Sequence, residues 1–333
     1  MSNRLRLGIL GAGHLGKIHI NCALTGQNWE VVGIYDADPE QAKKASEKFG
    51  VPAFQRLSEL LEVCDAVDIV TPTTTHYQLA KLALKAGKHV FIEKPVTHTV
   101  AEARNLLKLA NQLHLKVQVG HVERFNPAFL GIKSLPLAPM FIEAHRLAAF
   151  QPRGTDVSVV LDLMIHDLDL ILHLVKSPVK RVSAGGVAVL SHTPDIANAR
   201  IEFENGCVAN LTASRISLKQ MRKMRLFQQD TYISLDFLEK QAQTIRLFAT
   251  DAEQLPPIDQ LMEFDTAEGK KWLQLQMPET AAVNAIQEEL EAFARSILED
   301  AAPVVTLQDG YEALRLAHRI LKEIDLRLQQ QTR

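Results

Sequence analysis

Short apolar runs alternate with stretches of helical periodicity over the first 122 residues. Runs at 5–10, 30–36, 66–70, 89–93 and 116–120 predict strands, and stretches at 14–26, 39–49, 57–62, 76–87 and 99–114 predict helices. That alternation implies βαβ units and a parallel sheet. Gly87, after Ala83-Leu84-Lys85-Ala86, is a helix stop. The pattern changes past Gly120. Asn126-Pro127 opens a loop, a helical stretch follows near 127–134, Pro136 to Pro139 is a connecting segment, and 140–149 reads as a strand. Residues 157–176 form a long apolar helix. From 180 to 276 the signal is antiparallel: 199–204 alternates, Asn205-Gly206 turns, and 207–212 alternates back. Met224 to Phe227 and Tyr232 to Phe237 form a second hairpin, with weaker strands at 243–249 and 271–276. Helices at 280–299 and 309–329 close the chain. The expected fold is α/β: a doubly wound parallel sheet over residues 1–122, then an α+β domain over 123–333. The second sheet is mostly antiparallel and open-faced, with helices on one side. Its uncovered face, at strands 199–203 and 207–213, is expected to be apolar and to bury against another copy of the chain.

Composition narrows the classes. With 333 residues the chain can build two full cores. Apolar residues make up 47% and charged residues 23%, as in soluble globular proteins. The net charge of −2 leaves no footprint for nucleic acid or an anionic membrane. No signal-like N-terminal stretch and no spanning apolar run is present, so a cytoplasmic location is expected. The three cysteines, Cys22, Cys64 and Cys207, fit neither a disulfide framework nor a zinc spacing. They are read as free thiols, and no metal is expected.

The first strand runs into Gly11-Ala12-Gly13-His14-Leu15-Gly16 and a helix start. Gly11 allows a tight turn, Gly13 lets backbone approach a pyrophosphate, and Gly16 lets helix pack on strand. The helix N-terminus offers N–H groups to phosphate. Asp36 ends the next strand, 20 positions past Gly16, where a carboxylate accepts from ribose hydroxyls. Gly11, Gly13, His14, Leu15, Gly16 and Asp36 thus form a candidate dinucleotide site in a Rossmann-type domain. Asp36 carries charge where a 2′-phosphate would lie, and Ala37 and Asp38 follow rather than an arginine. That favours NAD over NADP.

The helix at 157–176 is apolar around most of its circumference, yet Asp162, His166, Asp169 and His173 are spaced 4, 3 and 4, on one face. Such a stripe is either a satisfied core network or the lining of a cavity. Asp162 and His166 are taken as the functional pair, and Asp169 and His173 as structural. An enzyme that oxidises an alcohol needs a base for the hydroxyl proton, which His166 can be, and a cation for the developing alkoxide. Lys94 ends a strand at the carboxyl edge of the sheet, where such ligands bind, although a strand-end lysine can also be merely exposed.

Several motifs together carry a family resemblance: Thr71-Pro72-Thr73-Thr74-Thr75-His76, Ala86-Gly87-Lys88-His89-Val90, Glu93-Lys94-Pro95, Gly120-His121, and Asp162 four residues before His166. The chain resembles the glucose–fructose oxidoreductase/inositol dehydrogenase (Gfo/Idh/MocA) family over essentially its whole length. The resemblance implies NAD(P)-dependent oxidoreduction of a sugar or cyclitol carbon, and often dimers or tetramers built on the open sheet face. It makes Lys94 the cation at the reacting oxygen, His166 the proton acceptor or donor, and Asp162 its neighbour in the substrate site. It places Thr71, Pro72, Thr73, His76, Glu93, Lys94 and His121 along the cofactor. Thr73 departs from the asparagine frequent there, which puts one cofactor hydrogen bond in doubt.

The run from Gly120 to Phe129 is similar to the subgroup that oxidises carbon 3 of UDP-N-acetylglucosamine ahead of amination in lipid A formation. Arg124, Asn126 and Arg153 are substrate candidates for a diphosphate or sugar hydroxyls, or else they serve inter-domain hydrogen bonds. The expected activity is therefore an NAD-dependent dehydrogenase of a nucleotide sugar. A dehydrogenase of a free sugar or inositol is the alternative within the class. A non-catalytic dinucleotide sensor is the alternative outside it, and such proteins usually lose the lysine or histidine that this chain keeps.

Overall fold

The computed structural model describes residues 4–150, 157–249, 255–267, 269–279 and 283–331. By its internal contacts the chain forms two compact units, Met1–Phe125 with Val283–Arg315, and Asn126–Ala282 with Leu316–Arg333.

In the first unit, strands β1 (Leu5–Leu10), β2 (Trp29–Tyr35), β3 (Ala66–Ile69), β4 (His89–Glu93) and β5 (Val117–Gly120) pair in parallel in the order β2-β1-β3-β4-β5. Leu7, Ile9, Leu10, Val67, Ile69, Val90, Phe91, Ile92 and Val119 are fully buried, as a sheet covered on both faces requires. Between the strands run α1 (His14–Thr25), α2 (Pro39–Phe49), α3 (Leu57–Val63), α4 (Thr73–Lys85) and α5 (Val100–Leu113). Local chemistry sets several boundaries. Asp38 caps α2 by accepting from Glu40 N–H, and Gly50 ends it with φ +69°. Thr99 and Glu102 form a reciprocal capping box on α5. Helix α4 begins at Thr73, three residues before the expected start. β-Branched threonines are weak helix formers, but Pro72 precedes them and Thr75 N–H reaches its carbonyl at 2.9 Å.

The second unit carries α6 (Pro127–Leu130), β6 (Phe141–Leu147), a π-helical turn at Val160–Met164 that continues into α7 (Ile165–Leu174), and then β7 (Val179–Val187), β8 (Ile196–Phe203), β9 (Val208–Ser214), β10 (Met221–Gln228), β11 (Thr231–Asp236), β12 (Gln241–Ala249), β13 (Met262–Thr266) and β14 (Gly269–Gln276). Their order is β13-β14-β12-β11-β10-β6-β9-β8-β7, and every pair but β6–β9 is antiparallel. Strands β7 and β13 alternate weakly, and the sequence pattern does not single them out. Ala197, Ala199, Ile201, Phe203, Ala209 and Leu211 pack on Met164, Leu168 and Ile171, and on Leu316, Ala317, Ile320 and Ile324.

Two expectations change. The closing helices do not both belong to a domain running from 123 to the end. Helix α8 (Ala285–Leu298) packs in the first unit, where Trp29 Nε1 donates to Leu290 O at 2.9 Å and Phe293 meets the Trp29 and Phe91 rings at 5.7 and 6.0 Å. Helix α9 (Leu307–Gln331) contributes to both units, divided after Arg315. The outward face of β8 and β9 is also not apolar. Apart from Ile196 and Val208, the positions alternating with the core are polar, namely Asn198, Arg200, Glu202, Asn210 and Thr212, and Asn198 Nδ2 donates to Thr212 Oγ1 at 2.9 Å. All three cysteines are free and buried, and burial pushes the Cys64 and Cys207 thiols up to about 11.

Strand β6 and helix α7 are joined by a buried ion pair. Arg146 Nε and Nη2 donate to Asp167 at 3.0 and 2.8 Å, with both side chains at most 5% exposed. Arg146→Leu would leave Asp167 buried without this cation, at a cost of roughly 3–5 kcal/mol. Chemical denaturation should show that loss, and a variant within about 1 kcal/mol of wild type would mean that the pair does not hold the helix to the sheet.

Candidate active site

The chain crosses over between β2 and β3, so β1 lies between β2 and β3 in the sheet. Ligands of open parallel sheets bind at such a point, outside the carboxyl strand ends. The register aligns Leu10 with Ile69, Ile69 with Ile92, and Glu93 with Gly120. Gly11, Thr71, Glu93–Lys94 and Gly120–His121 therefore leave the sheet along one edge.

The glycine turn fits a dinucleotide. Gly11 adopts φ +105°, and a Cβ there would stand 2.4 Å from Val70 O. A Cβ on Gly16 would stand 2.0 Å from Gly11 O, so α1 packs against the strand end with no room for a methyl. Nothing lies within 4 Å of where a Gly13 Cβ would be, and α1 has no side-chain cap. Its first N–H groups thus point into open space that a diphosphate would fill. His14 and Leu15 are exposed on this turn. Asp36 Oδ2 accepts from Ala12 N–H at 2.7 Å and Oδ1 from Asp38 N–H at 2.9 Å. The carboxylate is held beside the turn with further lone pairs for ribose hydroxyls.

The other first-unit candidates divide into outward and inward groups. Thr71 and Thr73 are half-buried and Pro72 is exposed. Lys94 is half-buried, the first residue past β4, on a cis bond to Pro95. His76 is 1% exposed and lies between two carbonyls, with Nδ1 2.9 Å from Pro95 O and Nε2 2.8 Å from Thr71 O, and its neutral ring can donate to one of them. It ties the turn after β3 to the turn after β4, and burial pulls its pKa below the ordinary value. Glu93 also turns inward: Oε2 accepts from Lys94 N–H at 3.1 Å, and Oε1 lies 3.4 Å from His19 Nε2. His121, the first residue past β5, is buried. His76 and Glu93 thus shape the edge from within.

In the second unit, the stripe of four polar residues splits. Asp162 and His166 are half-buried, Asp169 is 1% exposed, and His173 is exposed with its ring 6.0 Å from Phe129. Asp162 lies in the π turn, a wide winding that occurs often at functional sites. The start of this helix is anchored by a group that the sequence pattern does not mark. Arg215 Nη1 donates to Val157 O at 2.6 Å, and its Nε donates to Asp195 Oδ1 at 2.8 Å. Asp195 also accepts the Val189, Leu190 and Ser191 N–H groups. Burial works against its charge, but Arg215 and these donors hold its carboxyl far below the usual range. Asn126 is committed locally, accepting from Ala128 N–H at 3.1 Å and donating to Phe237 O at 3.1 Å, so its amide serves as a helix cap. Arg124 is 4% exposed. Arg153 lies outside the described residues.

Residues missed from the sequence include His19 and Asp68, both fully buried and 2.9 Å apart. A signal was present: an aspartate inside the apolar run Ala66-Val67-Asp68-Ile69-Val70 must be paired.

The sequence profile of the Gfo/Idh/MocA oxidoreductase family, NAD-binding Rossmann fold, matches residues 5–121, and that of the family's C-terminal domain matches residues 143–232. The chain is similar to UDP-N-acetylglucosamine 3-dehydrogenase of Acidithiobacillus ferrooxidans, 40% identical over 76% of this chain and 80% of that one. A structure of that protein aligns with TM-score 0.86 and 33% identity over 97% and 98% of the two chains. Inositol 2-dehydrogenase of Rhizobium meliloti is 28% identical over 56% of this chain and 59% of its own.

The two turn glycines should separate fold from binding. Gly13→Ala has space for its methyl and should keep the wild-type Tm, while NAD affinity falls as the methyl intrudes on the phosphate. Gly16→Ala meets backbone and should lose stability as well. Tm with NADH fluorescence titration reads both, and a Gly13→Ala protein that binds NAD normally would remove the turn from the cofactor site.

Proposed function

Because the chain belongs to the Gfo/Idh/MocA oxidoreductase family, we propose that it oxidises a secondary hydroxyl of a sugar, carbon 3 of a UDP-N-acetylhexosamine, with NAD⁺. The observation that carries the reading is the single sheet edge on which the uncapped glycine turn, Asp36 and Lys94 meet. The choice of nucleotide sugar leans on the similarity to the Acidithiobacillus enzyme. Asp36 favours NAD over NADP by charge repulsion.

Bound nicotinamide supplies the acceptor for a hydride. Every other task falls to this chain's own residues. Gly11, Gly13 and the N–H groups of α1 hold the diphosphate, and Asp36 holds the ribose. Lys94 donates to the reacting oxygen and stabilises the alkoxide as it forms. His166, neutral at the outset, takes the hydroxyl proton, and Asp162 is its neighbour on the helix. The hydroxyl loses its proton to His166 and its carbon gives up hydride, leaving a ketone. We place this reaction in the cytoplasm, ahead of amination toward lipid A; among the described residues no helix is long and apolar enough to cross a membrane. In the same reading copies of the chain associate through the uncovered sheet face.

Absorbance of reduced nicotinamide, with UDP-N-acetylglucosamine and free polyols assayed side by side, tests the substrate. The highest kcat/KM is expected for the nucleotide sugar. Preference for a polyol would point to the inositol dehydrogenases, and absence of turnover to a sensor.

Lys94→Ala should lower kcat by roughly 10²–10³ with NAD affinity nearly unchanged. His166→Asn should lower it by roughly 10²–10⁴ and abolish the rise of kcat/KM with pH that a neutral base imposes on oxidation. Wild-type rates in either variant would move that role to another residue.

A further inference from the structure

Behind the sheet edge, the first unit buries four ionisable groups from four elements. His19 on α1, Asp68 on β3 and Glu289 on α8 are fully buried, and Glu93 at the end of β4 is 7% exposed. Asp68 Oδ2 lies 2.9 Å from His19 Nδ1. On the opposite side of the ring, Nε2 lies 3.4 Å from Glu93 Oε1. Glu289 brings an oxygen within 4.8 Å of both His19 and Glu93, and among the described residues neither of its oxygens has a hydrogen-bond partner.

A buried carboxylate without a partner is strongly disfavoured, so these groups must settle their charges among themselves. Burial pulls the His19 pKa down, but the two carboxylates flanking it prevail and hold the imidazolium well above the ordinary histidine range. Burial pushes Glu93 up, and His19 more than reverses that, so Glu93 stays ionised. For Glu289, burial and the charge of Glu93 act in the same upward direction and hold it well above the ordinary carboxylate range. Lys94 and His76 also face Glu93, Glu123 faces Glu289, and Cys22 faces His19.

Glu93 passes this arrangement to the active-site edge. Its Oε2 accepts from Lys94 N–H at 3.1 Å. Its Oε1 fills the space beside Gly120, where a Cβ would stand only 2.6 Å away. An ionised, oriented Glu93 thus clamps the backbone of Lys94 beside the end of β5.

We propose that His19, backed by Asp68, is a positioning residue for Lys94: it faces Glu93 from within the unit, and Glu93 fixes the backbone from which the lysine side chain projects. The proposal rests on the role given to Lys94 above, and it gives His19 no contact with substrate or cofactor.

His19→Gln keeps a donor in place of Nε2 but removes the charge. Glu93 then bears burial without its cation and takes up a proton nearer neutrality. The kcat of the variant should fall about 10-fold or more at about pH 6 and approach wild type by about pH 8.5, with the NADH Kd within about threefold. A packing defect would instead lower kcat by one factor at every pH. Glu93→Gln, permanently neutral, should show a low kcat that no pH restores, again with NADH affinity kept. A His19→Gln profile parallel to wild type, or normal kcat in Glu93→Gln, overturns the proposal. So does a divalent ion retained in equimolar amount after dialysis, because Glu93 and Glu289 would then be its ligands. Lys94→Ala, assayed alongside, separates the two levels. Normal turnover there sinks the reading beneath this one, whereas an inactive Lys94→Ala beside a wild-type His19→Gln sinks only this inference.

Discussion

Helix α1 lies so close to the end of β1 that a methyl on Gly16 would stand 2.0 Å from the Gly11 carbonyl oxygen. Much else in the first unit follows from that approach. It aims the helix N-terminus along the sheet edge and leaves its leading N–H groups without a side-chain cap. It brings Ala12 N–H to Asp36, so the acidic residue of the next strand is tied to the turn it serves. It also sets the depth at which His19, one helical turn past Gly16, enters the interior beside Asp68 and Glu93. A contact between backbone atoms thus fixes both a surface for phosphate and a buried set of charges.

The two units secure their polar groups in a similar way. In the first, carboxylates converge on the ring of His19. In the second, Asp167 meets Arg146, and Asp195 meets Arg215 together with three backbone N–H groups. Buried ion pairs of this kind add little net stability, but breaking one leaves a charge without its partner. They enforce one arrangement over others. Arg146 sets α7 against β6, and Arg215 sets the start of the same helix, so the residues around Asp162 and His166 are held from both ends.

Much of the architecture was legible in the sequence because it rests on local chemistry. The apolar runs of β1, β3 and β4, the glycine turn and the Asn205-Gly206 hairpin all appear as short patterns. What was not legible depends on partners distant in sequence. Helix α8 reads like any closing helix, and contacts such as that of Trp29 with Phe293 show that it serves the first unit. The outer face of β8 and β9 was read as apolar from alternation, yet Asn198, Arg200 and Asn210 occupy it. Asp162 and His166 stood out because charge on an apolar helix is rare. The motifs mark Glu93 and His76 but do not show that their side chains contact neighbouring backbone, because those contacts depend on the turns after β3 and β4.

The central claim is that this sheet edge supports removal of the hydrogen on carbon 3 of a nucleotide sugar. Its most direct measurement is the fate of deuterium placed at that carbon of UDP-N-acetylglucosamine during turnover with NAD⁺. The account predicts that deuterium leaves the sugar, is recovered in the reduced cofactor, and leaves a 3-keto product in equal amount. Deuterium retained in the sugar, or released to water, would contradict it.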